Sequence, residues 1–150
     1  MEQKKIYSAS PEQTERVGAE LAQLLLNEPT LPRYIALYGD LGVGKTAFTR
    51  GVAGVLCPGA AVRSPTFALV NEYRGQVPVF HFDMYRITGE DDLYSIGYDD
   101  YLMRDGVILV EWSENIPFAL PDEFLRVTIT KNDPTAPDSR EILIEEVTLC

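Results

Sequence analysis

Fourteen residues in the first third of the chain, YGDLGVGKTAFTRG, combine four glycines with a lysine and two threonines. Within them Gly39, Gly44, Lys45 and Thr46 match the pattern G-x-x-x-x-G-K-[ST]. Glycine weakens the interior of a helix or strand by roughly 0.5–1 kcal/mol, so a loop rich in glycine serves a backbone shape that other residues rarely adopt. In this pattern successive backbone N–H groups form a nest for phosphate oxygens, and the N-terminus of the next helix adds about half a positive charge. The spacing therefore predicts a phosphate-binding loop.

The pattern also assigns individual roles within the loop. Lys45 is expected to contact the β- and γ-phosphates of a nucleotide, and the Thr46 hydroxyl is expected to ligate Mg²⁺. The predicted nucleotide-binding residues of the loop are Gly39, Asp40, Leu41, Gly42, Val43, Gly44, Lys45 and Thr46.

Two carboxylates stand at the ends of apolar segments further along the chain. VPVFHFD ends in Asp83, and Glu111 comes late in GVILVEW. A carboxylate at the exit of a buried strand is costly unless a charged group receives it, and a phosphate-loop enzyme needs an acidic residue to hold its metal ion directly or through water. We expect Asp83 and Glu111 to complete the site, and the sequence leaves open which of them lies nearer the metal.

Four residues near these motifs could have either a functional or a purely structural role. Thr66 in RSPTF (63–67) follows the loop helix, where nucleotide-sensing segments of phosphate-loop proteins lie, although S-P-T is also an ordinary turn. His81 is predicted to be a core histidine whose hydrogen bonds are satisfied. Arg86 either forms a surface salt bridge or contacts the γ-phosphate or a partner. Trp112 is expected in the core or on the nucleotide side of the sheet.

One further segment, TKND (130–133), resembles the guanine-reading N-K-x-D motif, with Asp133 at the position of the base-binding acid. No D-x-x-G pattern follows Asp83 or Glu111. Guanine specificity is therefore not expected.

The elements that must position these residues follow from local patterns. Ser10 is a candidate N-cap with Pro11 next to it, ahead of a helix with apolar residues at helical spacing. The polar stretch 88–105 fits one short helix or two helices broken at Gly97. The predicted elements are a helix over 11–27, a strand over 33–38, a helix over 45–56, a hairpin over 67–83, a strand over 106–112 and an antiparallel pair at the sheet edge formed by FLRVTIT and REILIEEVTL. This order predicts an α/β three-layer sandwich with a mixed, mainly parallel sheet.

Composition narrows the function classes. A chain of 150 residues fits one domain, 1–150, and no stretch reaches the roughly 18 apolar residues of a membrane span, so we expect a cytoplasmic protein without membrane contact. Two distant cysteines and one histidine argue against a zinc site. With 13 basic and 23 acidic residues the formal charge is −10, which disfavours direct nucleic-acid binding. The acidic clusters are most simply solvated faces, and a basic protein partner is the alternative.

Four motifs in the same order, GDLGVGKT, SPTFALVNEY, HFDMYR and VEWSE, resemble the bacterial TsaE (YjeE) family, the ATPase component of tRNA threonylcarbamoyladenosine (t6A) synthesis. The resemblance runs from about Ile6 to Leu149. Val43 departs from it slightly, since alanine is frequent there in the family.

The resemblance implies a single-domain P-loop NTPase fold that uses ATP and Mg²⁺. It places Lys45 on the phosphates, Thr46 and Glu111 at the metal, and Thr66 in a switch segment. Asp83 would support hydrolysis, and Trp112 would bind beside the nucleotide. It also implies that the ATPase joins the TsaD and TsaB proteins, supports repeated modification of the adenosine next to the anticodon, and meets tRNA only indirectly. Transfer of the threonylcarbamoyl group itself would belong to TsaD.

Two other functions share a phosphate loop. A small-molecule kinase would phosphorylate a metabolite, and such enzymes usually close an arginine-rich lid over the phosphates. Between residues 75 and 125 the only arginines are Arg86 and Arg104, and the 88–105 stretch is acidic. A nucleotide-sensing regulatory protein, whose hydrolysis is incidental, is the second alternative.

Overall fold

The computed structural model describes residues 3–39, 42–65 and 69–149. The predicted roles of Asp40, Leu41 and Thr66 fall outside these residues. A sheet of seven strands runs through the molecule in the order β1-β7-β6-β2-β5-β4-β3. The strands are β1 (Gln3–Ser8), β2 (Tyr34–Tyr38), β3 (Val70–Tyr73), β4 (Val79–Asp83), β5 (Val107–Glu111), β6 (Glu123–Thr130) and β7 (Arg140–Thr148). The helices are α1 (Pro11–Asn27), α2 (Lys45–Leu56), α3 (Glu90–Ser95) and α4 (Tyr98–Leu102).

The sheet is parallel in its centre and antiparallel towards both edges. Strand β2 pairs in parallel with β5 and β6, and β5 pairs in parallel with β4. The hairpin of β3 and β4 and the pairs β6–β7 and β1–β7 are antiparallel. The predicted α/β fold with a mixed sheet is confirmed. The prediction that β6 and β7 form the sheet edge is wrong, because the N-terminal strand β1 covers β7 and β6 lies beside the central strand.

Side chains that alternate along the buried strands build two cores, one on each face of the sheet. Ile35 and Leu37 face the core under α1 and α2, whereas Tyr34 and Ala36 face the core under α3 and α4. Two apolar faces, each covered by helices, produce the predicted three layers.

Helix α1 begins as its sequence predicts and packs tightly on α2. The Ser10 side chain accepts a hydrogen bond from the Gln13 N–H at 3.1 Å, and Pro11 occupies the first helical position. A Cβ atom built on Gly51 would overlap the carbonyl oxygen of Glu15, so this glycine is what lets the two helices approach. The contact fixes α2, and with it the glycine loop at its N-terminus, on the sheet.

The 88–105 stretch forms two helices, α3 and α4, broken at Gly97, where φ is +74°. Below them the Tyr34 and Tyr98 hydroxyls lie 2.7 Å apart in the core. Burial raises the pKa of Tyr98 to about 12, so its O–H remains available to donate to the Ala119 carbonyl at 2.8 Å. Among the described residues no helix has the length and apolar character needed to cross a lipid bilayer.

Candidate nucleotide-binding site

Pairing in the parallel centre of the sheet brings the two predicted carboxylates together. Asp83 and Glu111 are register partners at the carboxyl ends of β4 and β5. Val79 and Leu109 belong to the core under α1 and α2, and side chains alternate along a strand, so Asp83 and Glu111 share that same face. In open α/β sheets ligands bind beyond the carboxyl ends of the strands, which is also where the loop after β2 begins.

A cavity of about 490 Å³ lies at this edge and collects most of the predicted residues that the structure describes. Its lining residues are Gly42, Gly44, Lys45, Thr46, Ser64, Asp83, Tyr85, Glu111 and Trp112. Ser64 and Tyr85 were not among the predicted site residues. Gly39 and Val43 do not line the cavity but lie in the loop that forms it.

The glycine loop has the backbone that its composition predicts. Gly39, Gly42 and Gly44 have φ angles of +141°, +77° and +110°. At Gly39 a Cβ atom would also lie 2.5 Å from the Ile129 carbonyl oxygen, so both the angle and the space require glycine. Gly44 then serves as the N-cap of α2.

Lys45 is 5% exposed, and its ammonium contacts the loop backbone and the residue that follows β5. The ammonium donates to the Gly39 carbonyl at 2.8 Å and lies 4.1 Å from the centroid of the Trp112 ring. The first contact is a charge-assisted hydrogen bond, and the second is a cation–π contact with the indole. A ligand phosphate would compete with these contacts for the same ammonium.

Trp112 adopts an uncommon backbone conformation directly after Glu111. Its φ and ψ angles are 59° and 41°, in the left-handed region, which costs a residue other than glycine on the order of 1–3 kcal/mol. The result is a ring that lies over Lys45 and 5.0 Å from the ring of Tyr85. Trp112 and Tyr85 therefore form an aromatic wall of the cavity.

Both carboxylates are nearly buried and hydrogen-bonded on one oxygen. Asp83 Oδ1 accepts from the Tyr85 N–H at 2.9 Å, and Glu111 Oε2 lies 2.5 Å from His81 Nε2. With the Thr46 hydroxyl they offer a set of hard oxygen donors, the kind that Mg²⁺ prefers. Within the described ranges no group of three or more His, Cys, Asp or Glu side chains forms a metal cage. Mg²⁺ in nucleotide sites uses one or two carboxylates and substrate phosphates, so these residues fit it.

Comparison with known proteins identifies the family. The model of the family "Threonylcarbamoyl adenosine biosynthesis protein TsaE" matches residues 8–142. The chain belongs to the TsaE family. It is 38% identical over 148 residues to the tRNA threonylcarbamoyladenosine biosynthesis protein TsaE of Bacillus subtilis, covering 98% of this chain and 88% of that protein. It is 38% identical to the Haemophilus influenzae TsaE over 131 residues, 85% of this chain and 79% of the other.

A solved structure agrees with this membership. The crystal structure of Bacillus subtilis YdiB superposes with a TM-score of 0.76 at 34% identity, over 97% of this chain and 86% of that one. The predicted resemblance to the TsaE family, proteins of t6A biosynthesis, is thereby confirmed.

Arg140 is a residue of this TsaE-family chain that the sequence analysis missed. It begins β7, yet its guanidinium donates to the carbonyl oxygens of Val43 at 2.8 Å and Gly42 at 3.3 Å. It also donates to the carbonyls of Pro137 and Ser139. In a trans peptide the N–H points opposite to the C=O, so these bonds turn the N–H groups of Val43 and Gly44 away from Arg140. Arg140 thus fixes the orientation of two loop amides.

Replacing Arg140 with alanine is expected to weaken ATP binding about tenfold, because two amides of the loop lose the partner that orients them. Isothermal titration calorimetry measures this change. Arg126→Ala is the matched control, since Arg126 on the neighbouring strand pairs with Glu145 instead of the loop. Equal loss of affinity in both variants, or none in Arg140→Ala, would contradict the assignment.

Three further residues that the sequence singled out, Asp133, Arg86 and His81, do not line the cavity. Asp133, in the segment similar to a guanine-reading motif, accepts hydrogen bonds from the Thr135 hydroxyl and N–H, and these lower the pKa of its carboxyl. It closes its own exposed turn. Arg86 is exposed, and its role stays a prediction. His81 is buried and hydrogen-bonded at both ring nitrogens, as expected for a satisfied core histidine, but one of its partners is Glu111.

Proposed function

We propose that this TsaE-family chain is a Mg²⁺-dependent ATPase that acts with the TsaD–TsaB pair in t6A synthesis, at the adenosine next to the tRNA anticodon. The observation that carries the proposal is the convergence of the glycine loop, Lys45, Asp83 and Glu111 on one cavity. Their residue types match the parts of a phosphoryl-transfer site: an amide nest, a cation and acidic oxygens.

The proposal assigns a role to each of the predicted site residues. The loop amides and Lys45 bind the triphosphate, with Lys45 exchanging its bond to Gly39 for phosphate oxygens. Thr46 and Glu111 would hold Mg²⁺, and the ion would supply positive charge to neutralise the phosphates. Asp83 supports hydrolysis by positioning water, Thr66 senses the nucleotide, and Trp112 covers the bound nucleotide beside Tyr85.

The net charge supports a protein partner over direct contact with tRNA. A formal charge of −10 repels a phosphate backbone, so we assign tRNA contact to the partner proteins. As part of the same proposal, the chain works in the cytoplasm as one domain over residues 1–150.

The kinase alternative has less support in the structure. Arg104, a candidate for a lid over the phosphates, instead pairs with Glu72 at 2.8 Å and stacks over the Phe80 ring at 4.5 Å. A regulatory protein that only senses nucleotide would tolerate loss of hydrolysis. Retained t6A turnover in a variant that binds ATP without hydrolysing it would favour that alternative.

The experiment that tests the proposal follows inorganic phosphate release from ATP, by the protein alone and with purified TsaD–TsaB. We expect slow release alone, at least tenfold faster release with the pair, and docking on the pair that depends on ATP. A phosphorylated metabolite as the product would support the kinase instead. Docking that is equal with and without ATP would contradict the proposed coupling.

A further inference from the structure

A buried chain of polar groups leads from Glu111 into the interior. His81 on β4 is fully buried, with Nε2 on the Glu111 carboxylate at 2.5 Å and Nδ1 3.0 Å from the Tyr73 hydroxyl. Tyr73 lies on the next strand, β3, and its side chain is also in the core. Three adjacent strands therefore contribute one side chain each to a single hydrogen-bonded line.

The Tyr73 hydroxyl extends the line of hydrogen bonds to the backbone of Arg63. It accepts from the Arg63 N–H at 3.2 Å, and its one proton has two acceptors in reach, the Arg63 carbonyl oxygen at 3.1 Å and Nδ1 of His81 at 3.0 Å. The next residue, Ser64, lines the cavity. The same hydroxyl thus contacts both the histidine behind Glu111 and the chain segment that borders the site.

The hydrogen-bond inventory determines what His81 does for Glu111. An ionised carboxylate can only accept, so Nε2 of His81 carries a proton and donates it to Glu111. In a neutral imidazole Nδ1 is then an acceptor, and the Tyr73 O–H lies 3.0 Å from it. A carboxylate that is 5% exposed needs such a donor, since a buried charge without one is costly. An apolar residue at position 81 would fill the space but leave Glu111 Oε2 without that bond.

We propose that His81, held in its tautomer and ring orientation by Tyr73, is a positioning residue that fixes the Glu111 carboxylate for the metal ion. The proposal rests on the proposed function, because it assigns Glu111 to Mg²⁺. Partners behind metal ligands orient them, and their loss typically weakens metal affinity 10–100-fold.

The test uses Mn²⁺ as the probe, titrated by electron paramagnetic resonance into protein with a non-hydrolysable ATP analogue. His81→Gln places an amide N–H where Nε2 was, whereas His81→Asn places one only near Nδ1. We expect His81→Asn to bind Mn²⁺ 10–100-fold more weakly and His81→Gln to recover within about threefold of wild type. Nucleotide affinity without metal is expected to stay unchanged in both.

Tyr73→Phe supplies a second variant that keeps the ring and its packing. It is expected to lower Mn²⁺ affinity three- to tenfold. Tyr34→Phe is the matched control, because it removes another buried phenol hydroxyl, 2.7 Å from the Tyr98 hydroxyl in the core on the opposite face of the sheet. The control should leave Mn²⁺ affinity unchanged.

The outcomes distinguish failure of the positioning role of His81 from failure of the proposed function. If His81→Asn folds and binds Mn²⁺ as tightly as the wild type, the positioning role is overturned. If His81→Asn does not fold, the same result in Tyr73→Phe overturns it. In either case, unchanged nucleotide binding would leave the proposed function standing. Equal losses in His81→Gln and His81→Asn would also overturn it, since they indicate a packing defect. Wild-type protein that takes up neither nucleotide nor Mn²⁺ would overturn the proposed function and this role with it.

Discussion

Lys45→Ala is expected to weaken ATP binding about 100-fold, equivalent to about 2.8 kcal/mol. The substitution removes a nearly buried cation from the end of the glycine loop, and with it charge-assisted hydrogen bonds to the phosphates. Calorimetric titration with MgATP measures the loss. Trp112, the single tryptophan, gives an independent signal, because the Lys45 ammonium lies 4.1 Å from its ring. Its emission should change on nucleotide addition in the wild type and much less in the variant.

Arg50→Ala is the control for Lys45→Ala. Arg50 is a cation on the same helix, α2, but is exposed and does not line the cavity. Its removal should change ATP affinity less than threefold, since exposed charges are screened by solvent and salt. Comparable losses in the two variants would show that ATP responds to overall charge and not to the loop lysine. Circular dichroism and thermal unfolding would check that both variants fold.

Glu111→Gln is expected to lower kcat for ATP hydrolysis at least 100-fold while metal-free ATP affinity changes little. The amide oxygen still accepts from His81, but the side chain loses the negative charge that a magnesium ligand supplies. Steady-state phosphate release at saturating ATP, together with the Mg²⁺ concentration at half-maximal rate, reports both effects. The half-maximal Mg²⁺ concentration should rise at least tenfold.

Glu114→Gln controls for the loss of a negative charge near the site. Glu114 follows Glu111 by three residues but is exposed, and its variant should retain the wild-type rate. Asp83→Asn, measured in parallel, divides the roles of the two carboxylates. A fall in kcat with an unchanged Mg²⁺ requirement would assign Asp83 to water and Glu111 to metal. An unaltered rate in Glu111→Gln would contradict the site as described.

The loop and its strand–helix setting were predictable from sequence because each follows from local chemistry. Positive φ angles at Gly39, Gly42 and Gly44 follow from the spacing of residues that alone adopt them easily. The meeting of Asp83 and Glu111 was predictable too, since both end apolar strands of a parallel sheet and carboxyl ends of such strands share an edge.

Contacts between distant parts of the chain were not predictable. Arg140 lies 97 positions from Val43, and no local pattern marks an arginine at a strand start as a partner of the glycine loop. The Tyr73–His81–Glu111 line depends on the register of β3, β4 and β5, which periodicity alone does not fix. The edge position of β1 was missed for the same reason, because pairing between strands that lie more than a hundred residues apart in the chain is decided by tertiary packing.

The central claim is that the backbone between β2 and α2, together with Lys45, binds a nucleoside triphosphate with Mg²⁺. Its most direct test is isothermal titration of ATP into folded wild-type protein, with and without Mg²⁺. The account predicts saturable binding at one site per chain, tightened by Mg²⁺ and abolished or weakened about 100-fold by Lys45→Ala. Heats no larger than dilution for ATP under both conditions would contradict it.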